Sequence, residues 1–299
     1  MICLHFFEGP FWNITPNWFD WFSVLVSIVS IFGGYWIATK IYSKEKWDKI
    51  FEEKELLSSE INLFKNSLTQ LSSSVSNQIQ SLKEYSEKQD FKLEFNQGVH
   101  ADFLHFINVK YLYKEIGVNK HEEIHKINRL LSSLYTLNDF RTSLRNELRT
   151  YIKKYNFHED KFYSYRKLLY TKYFELCNQR GVDFIFENGI KKWKFRDDDL
   201  FMINYTENRI KIFGDQEVIT EGGLKDRAKL TERFIIPLVH ISADYIPEDY
   251  NAIEINDIAN EVNTAHTDMV YATTTHFQAV NSYLDILVDI NDKIAEYLK

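Results

Sequence analysis

An uncharged apolar stretch, Trp21–Thr39, is the strongest hydrophobic signal in the chain. At about 1.5 Å of rise per residue, a helix of this length just crosses a hydrocarbon core of about 30 Å. Bulky apolar side chains cover most of that helix. Small and hydroxyl side chains recur on one face: Ser23, Ser27, Ser30, Gly34 and Ala38. We therefore predict a single transmembrane helix over residues 21–42, with one face suited to close helix packing.

Apolar residues at alternating spacings of three and four continue beyond this span, from Trp47 to Tyr85. Only Lys54 and Gln78 interrupt the seam. The spacing predicts a long, coiled-coil-like helix over residues 43–97. Its seam can be buried between copies of the chain or against other helices of the same chain, and the pattern favours neither. The serines at 72–76 lower helix propensity, so a break there is also compatible with the pattern.

Helical periodicity dominates residues 98–299, which we assign to one domain. It predicts helices over 99–116, 121–155, 158–179, 224–246 and from about 256 to the end. Asn188-Gly189 between two strand-like runs predicts a type I′ hairpin. The runs 200–205 and 209–213 predict a second strand pair, which gives a β insertion at 182–213. The expected fold is mainly α: a transmembrane helix, a coiled-coil-like helix, and a cytoplasmic helical bundle with a small antiparallel β insertion.

Charge around the span predicts its orientation. No Lys or Arg precedes Lys40, whereas Lys40, Lys44, Lys46 and Lys49 follow closely. The positive-inside rule then places the N-terminus outside and the domain in the cytoplasm. Residues 1–20 lack the basic start of a signal peptide and form an aromatic extracytoplasmic segment. Its aromatics either anchor the interface with membrane lipid or collar the outer mouth of an oligomeric pore; the collar candidates are Phe11, Trp12 and Trp18.

The overall charge limits the kinds of partner. The net charge of -7 excludes a surface that attracts nucleic acid as a whole, so any site for a polyanion must be local. The two cysteines, Cys3 and Cys177, fall on opposite sides of the predicted membrane. A disulfide framework is therefore not expected, and a reducing cytoplasm suits the domain.

Two basic clusters are candidates for binding an anion. One recurs every fourth residue along a predicted helix: Arg141, Arg145, Arg149 and Lys153. Like charges at this spacing repel unless acids or a phosphate-bearing ligand neutralise them. Ion pairs with the acids at 122–123 or 197–199 would neutralise the row without a ligand. The other cluster is the hairpin arm, in which Lys192, Lys194 and Arg196 alternate with Trp193 and Phe195. Such interleaving suits base stacking, although the two aromatics are also candidates for the core.

A possible zinc motif, His121-Glu122-Glu123-Ile124-His125, matches H-E-x-x-H. We reject the metalloprotease reading because charged residues flank the motif at a predicted helix start, where a solvated first turn is the simpler explanation. No P-loop, dinucleotide-binding turn or nucleophile elbow is present. We accordingly predict no catalytic residue, no metal and no cofactor.

The layout resembles the membrane-anchored effectors of bacterial antiphage systems of the abortive-infection type. The features that carry this resemblance are the span WFSVLVSIVSIFGGYWIAT, the heptad helix from Trp47 and the helical C-terminal part. Within that class the chain is similar to the channel effector of Hailong-type defence. The resemblance implies a bacterial inner-membrane protein and a nucleotide- or oligonucleotide-like ligand made by a partner nucleotidyltransferase. It rests on architecture and transfers no site residue.

The sequence therefore supports two hypotheses of function. In the first, copies of the chain form a homo-oligomer, such as a tetramer, around the small-residue face, and an anionic ligand gates the resulting pore. In the second, the span only tethers a non-enzymatic scaffold or receptor that docks a cytoplasmic partner protein. A membrane-tethered hydrolase using His121, Glu122 and His125 is a third and weaker hypothesis.

Overall fold

The computed structural model describes residues 18–117, 120–187 and 190–299, and this part of the chain is mainly helical. The helices are α1 Trp18–Lys88, α2 Val109–Ile116, α3 His121–Arg180, α4 Leu200–Phe213, α5 Arg227–Leu230, α6 Ile236–Ala243 and α7 Tyr250–Leu298. A 3₁₀ helix, Asp102–His105, precedes α2, and a π-helical turn, Thr231–Ile235, joins α5 to α6. The strands form two antiparallel pairs: β1 Asp183–Glu187 with β2 Ile190–Lys194, and β3 Ile219–Thr220 with β4 Gly223–Leu224. A mainly α fold with a long apolar N-terminal helix is confirmed.

Helix α1 joins the predicted span and the predicted heptad helix into one element of 71 residues. It does not break at the serines at 72–76, and two of them bond to α7. Ser72 donates to Asn291 Oδ1 at 2.8 Å, and Ser76 accepts from Asn291 Nδ2 at 3.4 Å. The helix ends at Lys88 and not at residue 97 as predicted. The next residue, Gln89, turns the backbone to a φ of 49°.

The chain divides into two compact units, and the first contains α1 up to Ser67 together with Phe103–Ile124. Within it Ile61 and Phe64 of α1 are buried, and the Phe64 ring lies 6.1 Å from that of Phe103.

The predicted helix over 99–116 is wrong at its start. Helix α2 begins only at Val109, because Asn108 caps it by accepting from Lys110 N at 3.1 Å. An asparagine side chain that satisfies a free helical N–H favours a helix start at that point. Ile107 is buried just before this cap.

The second unit comprises Leu68–Asp102 and His125–Lys299. Here α7 runs antiparallel to α3, as the ion pairs Lys126–Glu296 and Lys172–Glu254, both at 2.9 Å, demonstrate. The end of α1 also lies antiparallel to α7, since Tyr85 bonds to His276 while Ser72 bonds to Asn291. Three helices thus pack together along this unit.

The heptad seam is buried inside its own chain over this region. The buried members in the second unit are Leu68, Leu71, Val75, Gln78, Leu82 and Tyr85. Gln78, one of the two polar interruptions, is only 1% exposed. Its amide donates to Glu94 O at 3.0 Å and accepts from Asn96 N at 2.7 Å. Gln78 therefore fixes the loop after α1, and its hydrogen bonds need no second copy of the chain. Trp47, at the other end of the seam, is 71% exposed.

Helix α3 replaces the two helices predicted over 121–155 and 158–179. No Gly or Pro interrupts the sequence between them. Packing continues across the expected gap, where His158 Nδ1 lies 3.3 Å from Asp268 and Phe162 is fully buried.

The predicted hairpin is confirmed, because β1 and β2 pair antiparallel from Asp183–Lys194 to Glu187–Ile190. The second strand pair, over 200–205 and 209–213, is wrong: this stretch is helix α4. Asp199 caps the helix by accepting from Met202 N at 3.2 Å. Phe201, Tyr205 and Ile212 recur at helical spacing and are buried. The cap and this period outweigh the strand propensity of the β-branched and aromatic residues.

Arg180, the last residue of α3, connects the starts of two other helices. Its guanidinium contacts Asp199 at 2.5 and 2.8 Å and Asp249 at 2.5 Å. Asp249 caps α7, which therefore begins at Tyr250 and not near 256 as predicted. Around this junction α3, α4, α6 and α7 enclose one apolar core that includes Phe162, Tyr205, Leu238 and Val262.

Gln78 provides a test of this packing. Replacing the buried Gln78 with Ala removes its hydrogen bonds to Glu94 O and Asn96 N, so we expect a loss of about 2 kcal/mol in the free energy of unfolding. Gln80→Ala is the matched control, because Gln80 bonds only to Glu84 on the exposed face of α1. Chemical denaturation of the purified protein measures both. A cost for Gln78→Ala that disappears on dilution would instead place this side chain between protomers.

Candidate functional site

The N-terminal part of α1 is the one helix in the described residues that is long and apolar enough to cross a membrane. Its most apolar window has a mean hydropathy of 1.7, and none of that window is buried. Large side chains such as Leu25, Val29 and Phe32 are exposed along it. Exposed apolar surface of this extent needs a lipid or protein environment. This is consistent with a membrane protein.

The predicted small-residue face lies on this exposed segment. Ser23 donates to Asp20 O at 2.9 Å and Ser27 to Ser23 O at 2.8 Å, so both hydroxyls are satisfied by their own helix. A side chain added at Gly34 would meet nothing within 4 Å, which leaves room for an approaching backbone. Ser30 and Ala38 are likewise exposed.

Of the predicted collar residues, only Trp18 lies within the described part of the chain. It is the first residue of α1 and its ring is exposed, 6.0 Å from that of Phe19. Phe11 and Trp12 lie outside the described residues.

The predicted row of cations lies on α3. Arg145, Arg149 and Lys153 are exposed, and Arg141 is half-buried. Within the described residues none of the four forms an ion pair, and the Nε of Arg141 is buried without a hydrogen-bond partner. The acids considered as partners bind elsewhere, since Glu123 lies 3.6 Å from Lys120 and Asp199 binds Arg180. Arg145 stacks over Phe95 at 5.3 Å.

The basic hairpin arm has two different faces. Phe195 is buried and Trp193 packs against the same core, so neither aromatic ring is free to stack on a base. Lys194 and Arg196 are exposed, and Lys192 is half-buried.

The structure does not bring the two predicted clusters together. Lys194 lies opposite Asp183 in the β1–β2 ladder, and Asp183 follows closely after Arg180, the last residue of α3. Lys153 precedes Arg180 by 27 residues on α3, which at 1.5 Å per residue is about 40 Å. One small ligand cannot contact both clusters.

A cavity of about 500 Å³ lies within the second unit, between α3, α4, the β3–β4 pair and the region from α5 to the π-helical turn. Aromatic and aliphatic side chains form most of its lining, including Tyr163, Tyr170, Tyr173, Tyr205 and Phe213. Ligand pockets in proteins commonly measure about 300–1,000 Å³ and combine apolar walls with a few polar groups. This cavity therefore has the size and composition of a small-molecule site.

Arg209 provides the main charge at this cavity. Its guanidinium lies 4.2 Å from the Tyr173 ring centroid, 4.3 Å from Phe213 and 5.0 Å from Phe174. Rings at such distances attract a cation through their negative faces. They hold the planar fork of Arg209 in place without neutralising its charge. Arg166, 5.6 Å over Tyr163, and Lys167 add two further cations to the lining.

Two buried tyrosines line the inner part of the cavity. Burial raises the pKa of Tyr173 to about 12, and its hydroxyl lies 3.2 Å from Thr206 Oγ1. Burial also raises the pKa of Tyr205 far above its ordinary range. Both phenols therefore stay neutral at physiological pH.

The sequence pattern did not predict this cavity. The signal in the sequence was the segment YSYRKLLYTKY, a dense run of basic and aromatic residues. It contains Tyr163, Arg166, Lys167, Tyr170 and Tyr173. The other walls come from α4 and from residues beyond 218, so the pattern along one helix could not reveal an enclosed space.

A second polar cluster lies where α1, α3 and α7 meet. The His276 ring is 1% exposed, bonds to Tyr85 Oη at 2.8 Å and to Glu147 Oε1 at 3.1 Å, and stacks on Tyr151 at 4.2 Å. Burial lowers the pKa of His276, and this outweighs the opposing effect of Glu147. The arrangement fixes the register of three helices.

The H-E-x-x-H motif lies at the beginning of α3, with His121, Glu122 and His125 all exposed. Among the described residues no group of three His, Cys, Asp or Glu side chains is placed to hold a metal ion.

Comparisons with known proteins do not identify the chain. No protein-family model, curated protein or solved structure matches it. The exposed apolar helix and the cavity are the features that bear on function.

His276 predicts how stability depends on pH. Its folded-state pKa lies below the ordinary value of 6.5, so the unfolded chain binds more protons below about pH 6.5. Stability should be greatest above that pH and fall on acidification through the folded-state pKa, by up to about 1.4 kcal/mol per pH unit. Thermal unfolding between about pH 7.5 and pH 5 measures this slope. His276→Gln should reduce it.

The control is His125→Gln, because His125 is exposed. The residual slope in His276→Gln should come partly from His266, whose pKa burial also lowers. An identical slope in wild type and His276→Gln would contradict the buried neutral state of His276.

Proposed function

We propose that the protein is a non-enzymatic membrane effector of bacterial antiphage defence. Copies of the chain assemble in the inner membrane through the N-terminal part of α1 and form a pore. The second unit, which contains the C-terminal helices, binds a nucleotide- or oligonucleotide-like anion made by a partner nucleotidyltransferase, and this ligand gates the pore. The observation that carries the proposal is the fully exposed apolar segment of α1, which continues as one helix into a unit with a basic, aromatic cavity.

The membrane assignment is supported by charge as well as hydropathy. Lys40, Lys44, Lys46 and Lys49 follow the apolar segment directly, and this asymmetry favours a cytoplasmic C-terminal unit. In that orientation the cavity faces the compartment in which nucleotides are made.

Assembly is supported by the small-residue face of the segment. Ser23, Ser27, Ser30, Gly34 and Ala38 allow helix backbones to approach closely, and close approach is a main source of helix association in lipid. Gly34 has open space around it for a neighbouring helix. In the proposed pore this face lines the assembly axis, and the aromatic residues Phe11, Trp12 and Trp18 surround its outer mouth.

A single-pass receptor or scaffold is the second candidate, and two observations favour it. The hydroxyls of Ser23 and Ser27 bond within their own helix, so they do not require a partner. The heptad seam from Leu68 to Tyr85 is buried within the chain, so it is not available to join protomers. In this account α1 only tethers the unit, and the cavity ligand controls docking of a partner protein.

Gly34→Leu separates the two candidates. In the pore account a large side chain on the packing face holds the helices apart, so ion leak from liposomes containing the protein should fall at least about tenfold. Gly33→Leu is the matched control, because Gly33 is adjacent, points about 100° away around the helix and has equally open space. Equal leak from Gly34→Leu, Gly33→Leu and wild type would favour the tether.

A further inference from the structure

We propose that the cavity between α3, α4 and the β3–β4 pair is the ligand site, and that it binds a nucleoside monophosphate unit. The unit is either a free nucleotide or the end of an oligonucleotide. This inference deepens the proposed function, on which its regulatory meaning rests. It also moves the site away from the Arg141–Lys153 row and the hairpin arm, where the sequence pattern placed it.

The walls of the cavity suit a planar ring. Tyr163, Tyr170 and Phe213 line the space and remain about half exposed. An arginine lies over one face of each ring, so the opposite face is the one that a base could stack on. Stacking of a base on an aromatic side chain contributes about 1–3 kcal/mol and tolerates different bases. The aliphatic wall formed by Ile212, Ile219 and Leu224 completes an apolar slot.

The charges of the cavity suit a phosphate. Its lining contains three cations, Arg166, Lys167 and Arg209, and, within the described part of the chain, no Asp or Glu. None of the three has a carboxylate within 4 Å among the described residues. The chain as a whole carries a net charge of -7, so a site with three cations and no acid is a local reversal of its charge. An anion would satisfy these side chains.

Arg209 combines both requirements. The rings of Tyr173, Phe174 and Phe213 hold its guanidinium plane, which limits the entropy lost when a ligand binds. A guanidinium so placed can donate two parallel hydrogen bonds to phosphate oxygens. An uncharged ring would fill the slot but leave Arg209 without a counter-ion. The ligand that fits this site therefore carries both a planar ring and a negative charge.

The test is a calorimetric titration of the full-length protein in detergent with AMP, GMP, CMP and UMP. At least one of them should saturate the protein and bind at least about tenfold more tightly than its nucleoside or inorganic phosphate alone. Arg209→Gln should weaken that binding at least about tenfold, because it removes the bidentate donor. A short oligonucleotide of mixed sequence tests recognition at a strand end: displacement of the bound mononucleotide supports it, and no displacement restricts the site to free nucleotides.

Arg145→Gln is the matched control. Arg145, like Arg209, lies over an aromatic ring, that of Phe95, but it is about 30 Å along α3 from Arg166. Its loss should change binding by less than about twofold. Lys167→Gln, an exposed substitution that does not disturb the core, should weaken binding about threefold and keeps the test valid if Arg209→Gln fails to fold.

Three results would overturn the assignment: no saturation by any of the four nucleotides, wild-type affinity in both Arg209→Gln and Lys167→Gln, or loss of binding in Arg145→Gln. Nucleotide binding without any effect on ion leak would support the site and contradict the proposed gating. Ion leak without nucleotide binding would support the pore and overturn the site.

Discussion

The packing of the end of α1 between α3 and α7 is the interaction on which the second unit depends. It buries the seam from Leu68 to Tyr85 and surrounds the Tyr85–His276–Glu147 cluster. Truncating one such buried leucine to alanine typically costs about 2–5 kcal/mol. Because the same helix continues to Trp18, the element that completes this core is also the one that carries the exposed apolar segment. The candidate membrane span and part of the core of the second unit thus belong to one helix.

Cations in this protein of net charge -7 differ in whether a carboxylate faces them. Most cations with a structural role face a carboxylate, as Arg180 faces Asp199 and Asp249. Arg209 is held by rings instead, so its charge remains available. Position within the fold therefore decides whether a cation is neutralised by a carboxylate, and spacing along the sequence does not.

Local signals predicted part of this fold well. The uncharged stretch marked the apolar segment, and Asn188-Gly189 marked the β1–β2 hairpin. The strand prediction for 200–213 failed because the composition of this stretch favours strands. Its helical conformation depends on the burial of one face and on the Asp199 cap. The sequence did not indicate whether Gln78 is bonded within the chain or between copies. Its partners, Glu94 and Asn96, lie in a loop with no pattern of its own. The cavity could not be predicted, because its walls come from segments that only tertiary packing brings together.

The central claim is that the exposed segment of α1 assembles copies of the protein in the membrane. The mass of the wild-type particle purified in mild detergent, measured by light scattering with the detergent contribution subtracted, tests it most directly. The account predicts a defined particle of several protomers, such as a tetramer, that persists on dilution. A particle with the mass of one protomer would contradict it and leave α1 as a tether.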